Sequence, residues 1–440
     1  MKLMFVSLGC DKNLVDSEVM LGLIREKGYE LTNNEEEANI IVVNTCCFIS
    51  DAKEESINTI LEMAEHKKTG VCKVLIAAGC LSERYKDEII KEIPEVDALL
   101  GTSSYDEILN AIDEALEGKK FTSYKDVNDN LSSYTDRINT TGGFYSYIKI
   151  AEGCDKLCTY CIIPSLRGKY KSRPIEDIVK EATLLVQKGI KEIILVAQDT
   201  TVYGIDLYGK YLLPKLLEEL STIEGLRWIR VLYCYPEEIS DELLEVMNKN
   251  DKICNYLDIP IQHGDSAILK KMGRKTTQED LRNKINRIRE LVPDIALRTT
   301  IITGFPGETQ EQHQNVVEFV KEMKFDRLGV FTYSKEEDTP AALLPGQITE
   351  KIKKQRQNDI MKLQQEISFE KTKEMIGRTI DVLIEGYLPE DKVYIGRSYK
   401  DAPNVDGYVF VKADEEIISG EMIKVLITES NEYDLIGEMI

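Results

Sequence analysis

The chain has 440 residues, enough for two to four domains at roughly 100–200 residues each. Its 42% hydrophobic and 30% charged residues exclude a wholly disordered chain, a collagen-like repeat and a bundle of membrane helices. With 56 Lys+Arg against 77 Asp+Glu the formal charge is −21, so nucleic-acid binding needs a local basic patch and a basic protein partner suits the chain better.

The N-terminus reads Met1-Lys2-Leu3-Met4-Phe5-Val6-Ser7-Leu8. Its apolar part is short for a secretion signal and has almost no charged leader, so a buried first strand explains it better. The pattern predicts strand 3–8 with helix 13–27, strand 40–43 with helix 52–66, and strand 74–78 with helix 83–93. Short continuous apolar runs between helical patterns mark buried parallel strands in an open α/β sheet. Each run leads to a cysteine: Cys10, Cys46 and Cys80, separated by 36 and 34 residues. In an open parallel sheet all strand C-termini share the edge where ligands bind, so the three thiols can converge. Three thiolates would hold an iron–sulfur cluster and leave one iron open. Gly9 and Gly79 would let the backbone approach it closely. The alternative is three buried structural cysteines. Cys47 and Cys72 lack the strand-end placement and read as packing residues, with Cys47 a rival to Cys46. A chain this long builds its own core without disulfides, so its ten cysteines point to a reducing cytoplasm.

Residues 118–142 are polar and rich in Ser, Thr, Asn, Asp and Gly, the texture of a linker. A strand then leads into Cys154-x-x-x-Cys158-x-x-Cys161. Three cysteines within eight residues fit one loop around a single metal cluster. A structural zinc is the alternative, but it usually requires four ligands, and His66, His263 and His313 all lie far away in sequence. Further strands are predicted at 192–197, 227–234, 256–261, 295–302 and 327–333. Helices are predicted at 175–188, 212–220, 240–248, 266–291 and 310–323. Six β/α units are too few for a closed eight-strand barrel and suit a partial, open one. Its strand ends carry Gln198, Asp199, Gln262, His263, Arg298, Thr300 and Gly304, either lining a site or capping loops. Arg298 lies in an apolar strand, which predicts a carboxylate partner from protein or cofactor.

A charged amphipathic helix is predicted over 350–375, then short β-rich runs at 379–385, 393–397, 407–411 and 421–428. These form a small antiparallel barrel. Residues 373–440 carry seven basic and fifteen acidic side chains, a balance of −8 that opposes phosphate binding. Arg397, Tyr399 and Lys400 form its one dense basic–aromatic cluster; the acidic domain as a whole suits contact with a basic protein better than RNA, or is a charged solvated surface with no partner.

The Cys154/Cys158/Cys161 loop on a partial barrel resembles the radical S-adenosylmethionine superfamily. With the three N-terminal cysteines and the C-terminal barrel, the resemblance narrows to the methylthiotransferases and covers essentially the whole chain. The stretches 6–18, 152–155, 256–263 and 396–403 look most like the branch that modifies an aspartate of small-subunit ribosomal protein twelve. The transfer-RNA branch usually has Gln or a similar residue after the first cysteine, and Ser where His263 stands. Cys47 departs from a common Gly, although Cys46 matches the family position.

The resemblance implies a cluster domain over 1–117, a linker over 118–142, a radical barrel over 143–372 and a TRAM domain over 373–440. It implies two 4Fe-4S clusters, one at Cys154, Cys158 and Cys161 that binds S-adenosylmethionine, and one at Cys10, Cys46 and Cys80 that holds or donates sulfur. Tyr160 would pack beside the adenine, and Gln198, Asp199, Gln262, Arg298 and Gly304 would contact the cofactor. A 5′-deoxyadenosyl radical would take hydrogen from the aspartate β-carbon, and a second S-adenosylmethionine would supply the methyl group. The implied partners are ribosomal protein twelve, free or on the ribosome, a reducing electron donor and a sulfur source, with no membrane. The same chemistry on transfer-RNA adenosine, and a non-enzymatic iron–sulfur protein, are the competing readings.

Overall fold

A computed structural model describes residues 1–129 and 137–440; part of the expected linker, 130–136, lies outside the described residues. The chain divides into two compact units. The first contains Met1–Thr140, Tyr147–Glu181 and Ser334–Ala342; the second contains Thr141–Ser146, Ala182–Tyr333 and Leu343–Ile440.

In the first unit six strands form one sheet in the order Glu30–Leu31, Lys2–Ser7, Ile40–Thr45, Val74–Gly79, Ala98–Leu100, Phe121–Ser123. Every pairing is parallel. The two central strands are buried at every residue, which is why they read as continuous apolar runs. Alternate side chains supply two cores. Ile41, Val43, Leu75 and Ala77 pack with Ile60, Met63 and Ala64 of helix Ser50–Thr69. Ile40, Val42, Val74 and Ile76 pack with Val19, Met20 and Ile24 of helix Asp11–Glu26 and with Ile108 and Ile112 of helix Ile108–Leu116. The helix expected over 83–93 is two short ones, Cys80–Tyr85 and Asp87–Glu92, because Lys86 between them has a φ of +45° that no α-helix continues.

The sheet of the second unit runs Arg327–Thr332, Ala296–Thr303, Ile253–Asp258, Trp228–Val231, Glu192–Val196 and then Tyr145–Lys149, whose first two residues belong to this unit. Helices follow the strands, as a partial barrel requires. The helix expected over 266–291 breaks into Ser266–Lys271 and Gln278–Leu291. Thr277 starts the second with a reciprocal cap: its N–H donates to Asp280 Oδ2 at 2.9 Å, and its Oγ1 accepts from the Asp280 N–H at 3.2 Å.

The C-terminal strands close into a barrel in the order Thr379–Leu388, Val393–Arg397, Val409–Lys412, Leu435–Met439, Met422–Ser430. Leu435–Met439 was absent from the predicted strands. It completes the ring by pairing parallel to Val409–Lys412 and antiparallel to Met422–Ser430. The basic–aromatic cluster is not a surface patch. Arg397 is fully buried and pairs with Glu192 Oε2 and Glu385 Oε1, both at 2.7 Å. Arg230 pairs with the other oxygen of Glu192 at 2.7 Å and donates to Tyr399 O at 2.6 Å. The Tyr399 hydroxyl donates to Asp294 O at 3.2 Å, and Lys400 Nζ faces Asp326 at 3.8 Å. The basic–aromatic cluster read from the sequence is therefore an internal clamp of the second unit.

Candidate metal centres

Strand register brings the three N-terminal cysteines to one edge. Ser7 lies opposite Asn44, and Thr45 opposite Gly79. Cys10 then caps helix Asp11–Glu26, Cys46 directly follows its strand, and Cys80 opens the next helix. Side chains lace the three loops together. Asn13 Nδ2 donates to Leu8 O at 2.8 Å and Thr45 O at 3.0 Å. Asn44 Nδ2 donates to Asn13 O at 3.0 Å and Ser17 Oγ at 2.8 Å, and Thr45 Oγ1 donates to Ala78 O at 2.6 Å. Ser56 Oγ accepts from the Cys46 N–H at 3.0 Å and donates to Cys46 O at 2.8 Å. Gly9, at φ +90°, leaves room for Cys46: a Cβ on it would lie 2.6 Å from Cys46 Cβ. Gly79 does the same for Asn44, at 2.3 Å from its Oδ1. These glycines admit neighbouring strand ends, a closer constraint than the cluster approach expected of them.

Cys10 is exposed, whereas Cys46 and Cys80 are buried. Burial pushes the Cys46 thiol up to about 12, and Cys80 and Cys10 add to the rise. Burial also raises Cys80, with Arg167 opposing it. Metal binding must displace these protons, which couples cluster assembly to pH. Cys47 faces elsewhere: it is fully buried in the core, and its thiol donates to Cys80 O at 3.2 Å. Cys72 donates to Val74 O at 3.4 Å. Both serve packing.

The second triad occupies one loop after strand Ala151–Glu152. Cys154 N–H donates to Gly168 O at 3.0 Å, and Cys161 N–H donates to Cys158 O at 3.1 Å. The Lys156 N–H points at Cys154 Sγ, 3.4 Å away. Cys154 and Cys158 are buried; Tyr160 and Cys161 are partly exposed. Enclosure raises the Cys161 thiol to about 12, and Cys158 and Cys154 push it the same way. The short helix Ile163–Arg167 follows at once.

Its last residue enters a buried charge cluster that sequence reading did not anticipate. Arg167 Nη1 pairs with Asp16 Oδ2 at 2.7 Å and Glu152 Oε2 at 3.2 Å. Arg167 Nη2 donates to Asn13 Oδ1 at 2.8 Å and to Cys80 Sγ at 3.4 Å. Lys149 completes the set through Asp16 and through Glu152 Oε2 at 2.6 Å. Two cations and two carboxylates balance here, the condition for keeping charges out of water. Asn13, Asp16 and Glu152 stand in the family-like stretches, so those stretches were the available signal.

The remaining expected site residues belong to the second unit. Asp199 is buried, and its Oδ1 accepts from the Thr201 N–H at 3.0 Å and from the Thr201 hydroxyl, an arrangement that shapes the loop after strand Glu192–Val196. Gln198 beside it is partly exposed. Gln262 adopts φ +71°, a strained value for this residue; its N–H donates to Thr300 O at 2.8 Å and its C=O accepts from Ile302 at 2.7 Å. His263 is buried, and its Nδ1 accepts from the Asp265 N–H at 3.0 Å, a turn-building role. Gly304 N–H donates to Glu308 Oε2 at 2.5 Å. The carboxylate expected beside Arg298 is a protein one: Asp258, its register partner, at 3.0 Å, with Asp406 at 3.6 Å.

Among the described residues no three His, Cys, Asp or Glu side chains are grouped for a single metal ion. A cluster instead takes its thiolates on separate irons. Each triad offers that donor chemistry: three cysteines, none in a disulfide.

Residues 2–101 match the uncharacterized protein family UPF0004, residues 148–320 the Radical SAM superfamily and residues 376–440 a TRAM domain. Among solved structures, the fold is similar to the radical S-adenosylmethionine methyltransferase TsrM from Kitasatospora setae, with TM-score 0.58 and 14% identity over 78% of this chain and 77% of that one. Sheets, barrel and matched regions together define a radical S-adenosylmethionine enzyme, a class that works with an iron–sulfur cluster and that cofactor. The ribosomal protein uS12 methylthiotransferase RimO of Lachnoclostridium phytofermentans is 62% identical over 437 residues, 99% of both chains. The protein of the same name from Clostridioides difficile is 52% identical over 440 residues, 100% of this chain and 99% of the relative. The chain belongs to the RimO family of methylthiotransferases. No described helix is long and apolar enough to cross a membrane.

Proposed function

We propose that the chain attaches a methylthio group to the β-carbon of an aspartate in ribosomal protein uS12, using two 4Fe-4S clusters. The observation that carries the two-cluster reading is the presence of two separate thiol triads within one compact unit. Cys154, Cys158 and Cys161 would hold the cluster that receives S-adenosylmethionine, and Cys10, Cys46 and Cys80 the cluster that handles sulfur. Bound there, cofactor and clusters supply the one-electron chemistry that an unactivated C–H bond demands and side chains lack. The chain's own residues hold and enclose. The Asn13, Asn44 and Thr45 lacing fixes three loops at one edge. Tyr160 would lie beside the adenine; Gln198, Asp199, Gln262 and Gly304 would offer polar contacts to the cofactor. Arg298 would orient Asp258, since its charge already meets that carboxylate.

The functional division would be 1–117, 118–142, 143–372 and 373–440, in line with the matched regions. The names of the relatives support uS12 as substrate, and the acidic C-terminal region suits a basic protein. A cytoplasmic setting, an external reductant and a sulfur source complete the reading. The transfer-RNA alternative loses its basic–aromatic anchor, because Arg397 is buried in ion pairs.

The test is product mass. Anaerobically reconstituted, reduced enzyme receives S-adenosylmethionine, a sulfur source and either uS12 or unmodified transfer RNA. A methylthio increment on a uS12 aspartate is the expected result. An increment on RNA alone overturns the substrate, and S-adenosylmethionine left intact overturns the chemistry.

A further inference from the structure

Arg167 joins the two triads by sequence and by contact. It ends the short helix that follows Cys161 directly, and its Nη2 reaches Cys80 Sγ at 3.4 Å. The guanidinium is buried, and its two terminal nitrogens have different tasks. Nη1 meets the carboxylates of Asp16 and Glu152. Among the described residues, the hydrogen-bond acceptors of Nη2 are the Asn13 amide oxygen and the Cys80 sulfur. Asn13 cannot turn that oxygen away, because its NH2 group is committed to Leu8 O and Thr45 O. The fork is thus aimed, with one arm anchored on charge and the other held against a cluster ligand. Lys149 already balances one of the two carboxylates, so a Cys80 thiolate would be the third anion of the cluster of charges, with Arg167 the donor against it. The charge of Arg167 also acts on Cys46. A donor on a ligand sulfur draws electron density from a cluster and favours its reduced state, one of the levers by which proteins set such potentials.

We propose that Arg167 is a positioning residue that hydrogen-bonds the Cys80 thiolate and raises the reduction potential of the cluster at Cys10, Cys46 and Cys80. This rests on the two-cluster reading above.

The test is a redox titration followed by electron paramagnetic resonance on two full-length, reconstituted backgrounds. One carries C154A, C158A and C161A and retains only the N-terminal cluster; the other carries C10A, C46A and C80A and retains only the radical cluster. In the first, Arg167→Gln should lower the reduced-to-oxidised ratio at fixed potential on the order of tenfold, the scale of a hydrogen bond to a charged group, or ~59 mV for a one-electron couple. Arg167→Lys keeps the charge without the fork and should shift it less. In the second background neither substitution should move the midpoint. Should the Gln variant fail to fold, the Lys variant carries the test by the same comparison. An unmoved midpoint in the first background, or equal movement in both, overturns the proposal, the latter by marking Arg167 as a general structural pin. Absence of any cluster in the first background with Arg167 intact overturns the two-cluster reading itself, and the proposal with it.

Discussion

Cys154, Cys158 and Cys161 occupy eight residues of one loop, whereas Cys10, Cys46 and Cys80 arrive on three loops spaced 36 and 34 residues apart. The first triad needs only local chain geometry. The second needs three strands to end in register and a set of buried hydrogen bonds to keep their ends together. The contrast separates two kinds of fragility. A local ligand loop fails when a ligand is removed; a non-local one also fails when a residue that never touches metal is removed.

Ligand removal gives the largest effects and sharpens the contrast. Cys154→Ala should abolish S-adenosylmethionine cleavage and methylthio transfer together. Cys80→Ala should abolish transfer while cleavage continues, as chromatography of 5′-deoxyadenosine would reveal. Gly9→Ala should come next. Its Cβ would meet Cys46 Cβ at 2.6 Å, in a backbone conformation that strains alanine by about 1–3 kcal/mol. Iron bound at the N-terminal triad should fall sharply, with the radical cluster's spectrum intact. Asn13→Ala deletes the donors to Leu8 O and Thr45 O and should cost about 2–3 kcal/mol in chemical unfolding. It should also lower iron only at the N-terminal triad. Cys47→Ala is the mildest, about 1–2 kcal/mol for a small buried group, with iron content unchanged. Equal iron loss from Cys46→Ala and Cys47→Ala would instead mean that the two thiols share the ligand position.

What the sequence disclosed follows the same division. The Cys154 loop was legible outright, because its spacing is local. The N-terminal triad was legible only through recurrence, a cysteine after each of three apolar runs. Helix Gln310–Met323 matched its predicted bounds because Thr309 and Gln312 form a reciprocal cap that can be read from spacing. The Lys149–Asp16 pair spans 133 residues, so no local pattern announces it, and an isolated charge reads as solvated surface. Arg397, Tyr399 and Lys400 misled for the same reason: the glutamates that turn Arg397 inward, Glu192 and Glu385, lie on other strands. Arg298 was the instructive exception. Its apolar strand demanded a carboxylate, and parallel register supplied Asp258. Burial cost could be inferred from sequence; the identity of the partner needed the fold.

The most direct measurement is iron and acid-labile sulfide per chain in the anaerobically reconstituted protein and in its two triple cysteine variants. Two clusters predict about eight irons in the unaltered protein and about four in each variant, C10A/C46A/C80A and C154A/C158A/C161A. About four irons in the unaltered protein, all retained in C10A/C46A/C80A, would contradict a second cluster at the N-terminal sheet.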